Sequence, residues 1–366
     1  NAMPPALNDF PDFGSTKHQQ AARETAEESI TLLKNNGALP LSKTANILVC
    51  GPAANSLTLI NGAWTRTWQG TDATWEDGTR NTIFEAMQAI NANTAHVEGC
   101  TLDSLLDVKE SMEKAASSDA IVICLSELPS TEKPGDIEDL ALPAAQREFV
   151  KQMSATGKPI VLVLVENRPR IIHDIIPVCS SVVMAYQPGD LGSDALARIL
   201  FGDVNPSGKL PFTYPAHEQS LLTYDHKFSE TLDPKFGNTA YSPEWPFGFG
   251  MSYSTLSYSN VKVSSNELKG TGSINVSIDV TNRGKMDAKE TVLLYTRDHV
   301  ASITPSVRKL RKFDKKSIAA GATVNYTFEI TAADLAFINK DLKSVTEAGA
   351  FDIIIGDQVA VINYQP

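Results

Sequence analysis

Cysteine is scarce, with four in 366 residues. Cys50, Cys100, Cys124 and Cys179 lie far apart, form no CxxC pair and have no flanking histidine. A disulfide framework or a zinc site built on the usual spacings is therefore not expected. Cys50 and Cys124 sit inside apolar runs, where a free thiol behaves as a small hydrophobe. The six histidines are scattered and form no HisGluxxHis pattern, so no structural or catalytic metal is called for. Positive charge is in deficit: 32 Lys and Arg face 43 Asp and Glu, a net charge of −11. Nucleic acid and anionic membrane surfaces both require a basic face, so neither is an expected partner. No apolar run approaches the ~18 residues of a membrane span. Glycine is missing where nucleotide sites need it. After the first expected strand comes GlyProAlaAlaAsnSer (51–56), with one glycine and a proline that removes a backbone donor. No GxxxxGKS/T occurs anywhere, and no cofactor is expected.

What is present describes a globular chain of more than one domain. Apolar residues make up 42%, enough for a large core, and 366 residues exceed the ~250–300 at which single cores split. AsnAlaMet (1–3) reads as a tag-cleavage scar, and with the Pro- and Phe-rich residues that follow it forms an arm over 1–16. A helix is expected from Lys17 to Asn35, because Ala22, Ala26, Ile30 and Leu33 share one face of a 3.6-residue repeat. Apolar runs at 46–51, 120–125, 159–165 and 181–186 then alternate with helical stretches at 82–90, 102–116, 144–153, 169–176 and 193–200. Continuous Val/Ile runs without polar alternation indicate strands covered on both faces. Residues 17–215 thus read as an α/β domain, a mostly parallel sheet sandwiched by helices. Residues 216–254 read as an extended connector rich in Pro, Gly, Tyr and Phe. Beyond it the period becomes two, as in Ile274, Val276, Ile278 and Val280, and in Val324, Tyr326, Phe328 and Ile330. That pattern predicts a small antiparallel β-sandwich over 255–366.

Two segments invite chemistry. Trp64, Trp68 and Trp75 crowd a loop expected at the C-terminal edge of the first strand, the functional edge of such sheets. Loop tryptophans either staple the loop to the domain or wait for a ligand. Trp75 fits the first role and Trp64 and Trp68 the second, since an indole can stack on the C–H face of a sugar. Nearby Arg66, Gln69 and Asp72 can bond hydroxyls. The second segment, 126–139, leaves the next strand with Glu127, Glu132, Asp136, Glu138 and Asp139 among stiffening prolines. Such a loop can hold a general acid. The bland alternative is a solvated surface, which suits Glu138 and Asp139 as N-terminal acids of the following helix.

Several ordered motifs resemble glycoside hydrolase family 3, the β-glucosidase-like family. They are TrpThrArgThrTrpGlnGly (64–70), SerGluLeuProSerThrGluLysProGlyAsp (126–136), GluAsnArgProArg (166–170) and TyrGlnProGly (186–189). GlyAspValAsnProSerGlyLysLeuProPheThrTyrPro (202–215) and TrpProPheGlyPheGlyMetSerTyr (245–253) add to them. ValThrAsnArgGly (280–284), LeuLeuTyrThrArgAsp (293–298) and LysLeuArgLysPhe (309–313) resemble the fibronectin type III-like domain that closes many members.

The resemblance implies a retaining, exo-acting β-glycosidase acting on oligosaccharides or β-glucosides, in the periplasm or secreted. It implies that Glu132 is the general acid/base, that Trp68 walls the site receiving the leaving group, and that Trp64 supports it; Arg66, read from the loop itself, joins Trp68 and Trp64 as a substrate-binding candidate. Glu127 would order the loop. Asn167 stands where members commonly have glycine, and its tolerance of left-handed backbone should preserve the turn. The nucleophile belongs to an N-terminal (β/α)8 barrel that this sequence does not contain, so the chain alone should be inactive. The alternative is a non-catalytic carbohydrate-binding or assembly module. A free-standing α/β hydrolase is remote, since no GxSxG elbow occurs.

Overall fold

The computed structural model of the chain describes residues 10–218, 220, 223–227 and 242–366. The expected arm (1–16) and connector (216–254) lie partly outside the described residues. Two compact units emerge: Asn1–Lys209 with Ala216–Glu218, and Leu210–Pro215 with Gln219–Pro366.

In the first unit the apolar runs become β2 (Ile47–Cys50), β4 (Ala120–Ser126), β5 (Ile160–Val165) and β6 (Ser181–Met184), every residue of which is buried. With β1 (Thr31–Asn35) and β3 (Thr94–His96) they form one sheet in the order β1-β6-β5-β4-β2-β3. All neighbours are parallel except β1 and β6. Burial along whole strands requires cover on both faces. The helices supply it in two packed groups. One is α1 (Thr16–Ser29), α3 (Ile83–Ile90) and α6 (Gly192–Leu200); the other is α4 (Val108–Ala116) with α5 (Ala144–Ser154). A single turn, α2 (Leu57–Ile60), follows β2. Thr82 and Glu85 start α3 with a reciprocal capping box.

Three expected helices differ from the structure. The helix expected over 17–35 stops at Ser29, and its last residues form the edge strand β1. Ile30 and Leu33 satisfy a helical period, but the continuous run Ile30–Leu33 also suits a covered strand. Sheet pairing with β6 wins because it buries all four of those residues. Ala22, on the supposed helical face, is exposed. The helix expected from Leu102 begins only at Val108, where the Asp107 carboxylate accepts from the Lys109 and Glu110 amides. Residues 169–176 form no helix beyond a 3-10 turn at Ile176–Val178. Their backbone is committed instead to a bridge between Ile171 and Ala141.

In the second unit the period-two pattern is realised. β7 (Leu256–Val263), β9 (Ser273–Asn282) and β12 (Thr323–Thr331) form one sheet in the order β12-β9-β7. β8 (Glu267–Lys269), β10 (Ala288–Asp298), β11 (Lys309–Ile318), β15 (Gly349–Ile355) and β16 (Gln358–Gln365) form the other, in the order β11-β10-β15-β16-β8. Pairs are antiparallel except β16 with β8. A short ladder joins β13 (Phe337–Ile338) to β14 (Ser344–Val345). Ile274, Val276, Ile278 and Val280 share one core with Tyr326, Phe328, Ile330, Phe351, Ile353 and Ile355. Buried Tyr326 keeps its hydroxyl satisfied by donating to the Glu290 carbonyl at 2.9 Å.

Candidate active-site loops

β2 and β4 are parallel neighbours, so the chain leaving their C-terminal ends emerges side by side. The tryptophan loop follows β2 and α2. The acid loop follows β4.

The tryptophan loop is knotted on itself. The Trp64 amide donates to the Trp68 carbonyl at 3.1 Å, and the Thr65 hydroxyl donates to the Gly62 carbonyl at 2.6 Å. Gly70 has φ +75° and returns so close that a Cβ there would lie 2.6 Å from the Gly62 oxygen, which leaves room only for glycine. Trp64 itself holds φ 63°, a left-handed conformation costly for a large residue. All three rings face outward: Trp64, Trp68 and Trp75 are 65%, 46% and 60% exposed. Trp75 is not buried; its tie to the loop is a side-chain hydrogen bond to Asp72.

Arg66 donates from one guanidinium nitrogen to both oxygens of Asp190, at 2.8 and 2.6 Å. Asp190 also accepts from the Asn61 side-chain Nδ2 at 3.0 Å. Arg66 thus ties its loop to the segment before α6. Asp72 accepts from the Thr74 amide, and hydrogen bonding by Thr74 holds its carboxyl below the usual carboxylate range. Asp72 is therefore occupied as a cap rather than poised as a hydroxyl acceptor.

The acid loop rests on a buried carboxylate. Glu127 is 5% exposed. Its carboxylate accepts from the amides of Asn167 and Arg168 at 2.9 and 2.8 Å, and from the Arg168 Nε at 2.9 Å. The remaining faces of the Arg168 guanidinium donate to the Gly135 carbonyl and to the Ser130 hydroxyl, so one side chain holds both ends of the 130–135 turn. Asn167 is not among the residues of positive φ; the turn uses its amide rather than left-handed backbone. Between those two anchors Glu132 is exposed, with φ 55° and ψ −158°, a region occupied almost only by glycine. The loop also lines a cleft of about 280 Å³ with Leu128, Ile137 and Arg168 on its wall; Glu132 does not line it.

One residue joins the two loops. The Gln69 side-chain amide donates to the Thr131 carbonyl at 3.1 Å and accepts from the Thr131 amide at 3.0 Å. Residues 68 and 132, each next to a partner of this pair, therefore sit along one seam. Gln69, expected as a hydroxyl ligand, is used up in that contact. A third residue of positive φ, Tyr186 at 58°, bonds its hydroxyl to that of Thr31 at 2.9 Å, and burial pushes the phenol up to about 12.

Chemically, an exposed carboxyl beside exposed indoles can exchange a proton next to a stacked apolar ring face. Sequence reading missed Gln69–Thr131, Arg168 and Asp190 as organisers, since no spacing rule links residues so far apart along the chain.

Residues 30–253 match the model of the glycosyl hydrolase family 3 C-terminal domain, and residues 290–359 match a fibronectin type III-like domain. A lysosomal β-glucosidase of Dictyostelium discoideum is 38% identical over 94% of this chain and 44% of its own length. A β-xylosidase of Formosa agariphila is 33% identical over 94% of this chain and 49% of its own. A Listeria innocua β-glucosidase solved with isofagomine superposes with a TM-score of 0.87 at 26% identity, covering 97% of this chain and 51% of that one. The chain spans about half the length of the curated relatives it matches.

Proposed function

Because this chain belongs to glycosyl hydrolase family 3, we propose that it is the C-terminal portion of a retaining, exo-acting β-glycosidase of β-glucosidase type. Glu132 is the general acid/base. Trp68 walls the site that receives the leaving group, Trp64 backs it, and Arg66 fixes their loop through Asp190. The observation that carries this reading is the reciprocal Gln69–Thr131 bond, which sets the ring-bearing loop against the carboxyl-bearing one.

Retaining hydrolysis needs two carboxyl groups ~5–5.5 Å apart, one attacking the anomeric carbon and one protonating the leaving oxygen. Glu132 supplies the second. The nucleophile and most contacts to the terminal sugar are assigned to an N-terminal (β/α)8 barrel, the partner this chain requires. Substrates are oligosaccharides or β-glucosides, and the reaction takes place outside the cytoplasm, in the periplasm or after secretion.

The purified chain alone is expected to leave p-nitrophenyl β-glucoside intact, and mixing with a family barrel domain to restore turnover. In the mixture, Glu132→Gln should lower kcat by about 10²–10⁴ for poor leaving groups. The loss should be far smaller for a dinitrophenyl glycoside, which needs no proton. A loss independent of the leaving group would assign the proton to another residue.

The three outward-facing tryptophans also favour a second reading, a sugar-binding module without catalysis. Saturable binding of oligosaccharide by the chain alone, dependent on Trp68, would support it.

A further inference from the structure

The β-sandwich holds a cationic cavity that the proposed glycosidase chemistry does not use. It lies within the second unit, where β10 ends and residues 299–306 lead toward β11, and its volume is about 110 Å³. Ile303, Leu335, Phe337 and Phe351 give it an apolar wall. Its charged lining residues are Lys227, Lys309 and Arg311, with one acid, Asp298. Cations thus outnumber acids there, in a chain whose net charge is −11.

The three cations are not equally neutralised. Lys309 pairs with Asp225 at 3.4 Å, and Lys227 donates to the Ser306 hydroxyl at 3.1 Å. Arg311 is half-buried, yet its hydrogen bonds go to neutral groups: Nε donates to the Thr296 hydroxyl at 2.9 Å and Nη2 to the Ala336 carbonyl at 3.0 Å. Burial lowers its pKa from the usual arginine range. Asp334 and Asp225 oppose that shift from beyond ion-pair contact, since Asp334 is paired with Lys312 at 2.8 Å and Asp225 with Lys309. The third guanidinium nitrogen, Nη1, makes no hydrogen bond among the described residues and is not sealed from solvent. Asp298 does not answer it: its Oδ1 accepts from the Val300 amide at 3.0 Å, and its Oδ2 is sealed.

A half-buried guanidinium with an accessible nitrogen and no counter-ion calls for an anionic acceptor. The apolar wall sets what that anion carries. Inorganic anions and sugar acids bear polar oxygens on every side and would press them unpaired against Ile303 and Phe337. An apolar cavity of about 150 Å³ holds one benzene, so this smaller space takes a tail of about three or four carbons. We propose that this cavity binds a short-chain monocarboxylate, its carboxylate accepting from Arg311 Nη1 and its tail lying against Ile303, Phe337 and Phe351. The inference does not rest on the Glu132 reading.

The test titrates the full chain with butyrate, acetate, butyramide and glucuronate by calorimetry or ligand-observed NMR. Butyrate should saturate and bind at least about tenfold tighter than the neutral butyramide, the value of one charge-assisted hydrogen bond. Each methylene from acetate to butyrate should add roughly fourfold in affinity, and glucuronate should not compete. Arg311→Gln removes the charge but keeps a side-chain amide, and should bring butyrate down to the level of butyramide. Ile303→Trp fills the cavity and should abolish binding of both. If Arg311→Gln fails to fold, the butyramide comparison and Ile303→Trp still decide. Absent saturation by butyrate, equal binding of butyramide, or butyrate binding that survives Ile303→Trp would each overturn the proposal. So would acetate binding as tightly as butyrate, the behaviour of surface cations without an apolar wall.

Discussion

The acid loop and the tryptophan loop leave neighbouring strands of one sheet, yet they are held in opposite ways. The acid loop is fixed from below: Glu127 is buried, and Arg168 spans from it to both ends of the 130–135 turn. The tryptophan loop is fixed by its own backbone knot and by two tethers near the surface, the partly exposed Arg66–Asp190 pair and the Gln69–Thr131 pair. The difference follows from what each carries. A carboxyl in an unfavourable backbone conformation keeps it only if the surroundings over-determine it. Rings that, on the proposed reading, stack on a ligand need only stay exposed and roughly oriented.

Glu127→Ala should have the largest effect, because it strips a buried carboxylate from Arg168. A loss of about 3 kcal/mol is expected, visible by calorimetry as a lowered transition of the α/β unit with the β-sandwich transition unmoved. A shift below about 1 kcal/mol would mean that the acid loop is no better anchored than its neighbour. Gln69→Ala removes the joint between the loops at a cost of about 1–2 kcal/mol. Exchange of the Thr131 amide should then accelerate by roughly tenfold or more, while amides of β4 stay protected. Glu132→Gly should act in the other direction, stabilising the chain by about 1 kcal/mol as strain is released; denaturant midpoints read this directly. Destabilisation instead would show that the Glu132 side chain makes favourable contacts that outweigh its backbone strain. The smallest effect belongs to Arg66→Ala, under about 1 kcal/mol and shrinking with salt, measured from the thermal transition at low and high ionic strength.

The same contrast marks what could be read from the chain. Ile160–Val165 and the alternation of β9 and β12 announce their strands, because burial pattern and period are properties of adjacent residues. Ile30–Leu33 satisfies both periods, and only the neighbouring strand β6 decides between them. β3 is three residues, ThrAlaHis, with no apolar run to reveal it. The two site segments were legible as loops carrying Trp68 and Glu132. Their organisers were not: Gln69 meets Thr131 across 62 residues, and Glu127 meets Arg168 across 41. Such pairings depend on strand order, which the sequence does not spell out locally.

On the proposed reading, the Trp68 indole and the Glu132 carboxyl face one shared space. Incorporating 5-fluorotryptophan and following its ¹⁹F resonances through an acid titration tests it most directly. The Trp68 signal should shift as residue 132 gains its proton, and Glu132→Gln should abolish that shift. A Trp68 resonance that titrates identically in wild type and Glu132→Gln would contradict it.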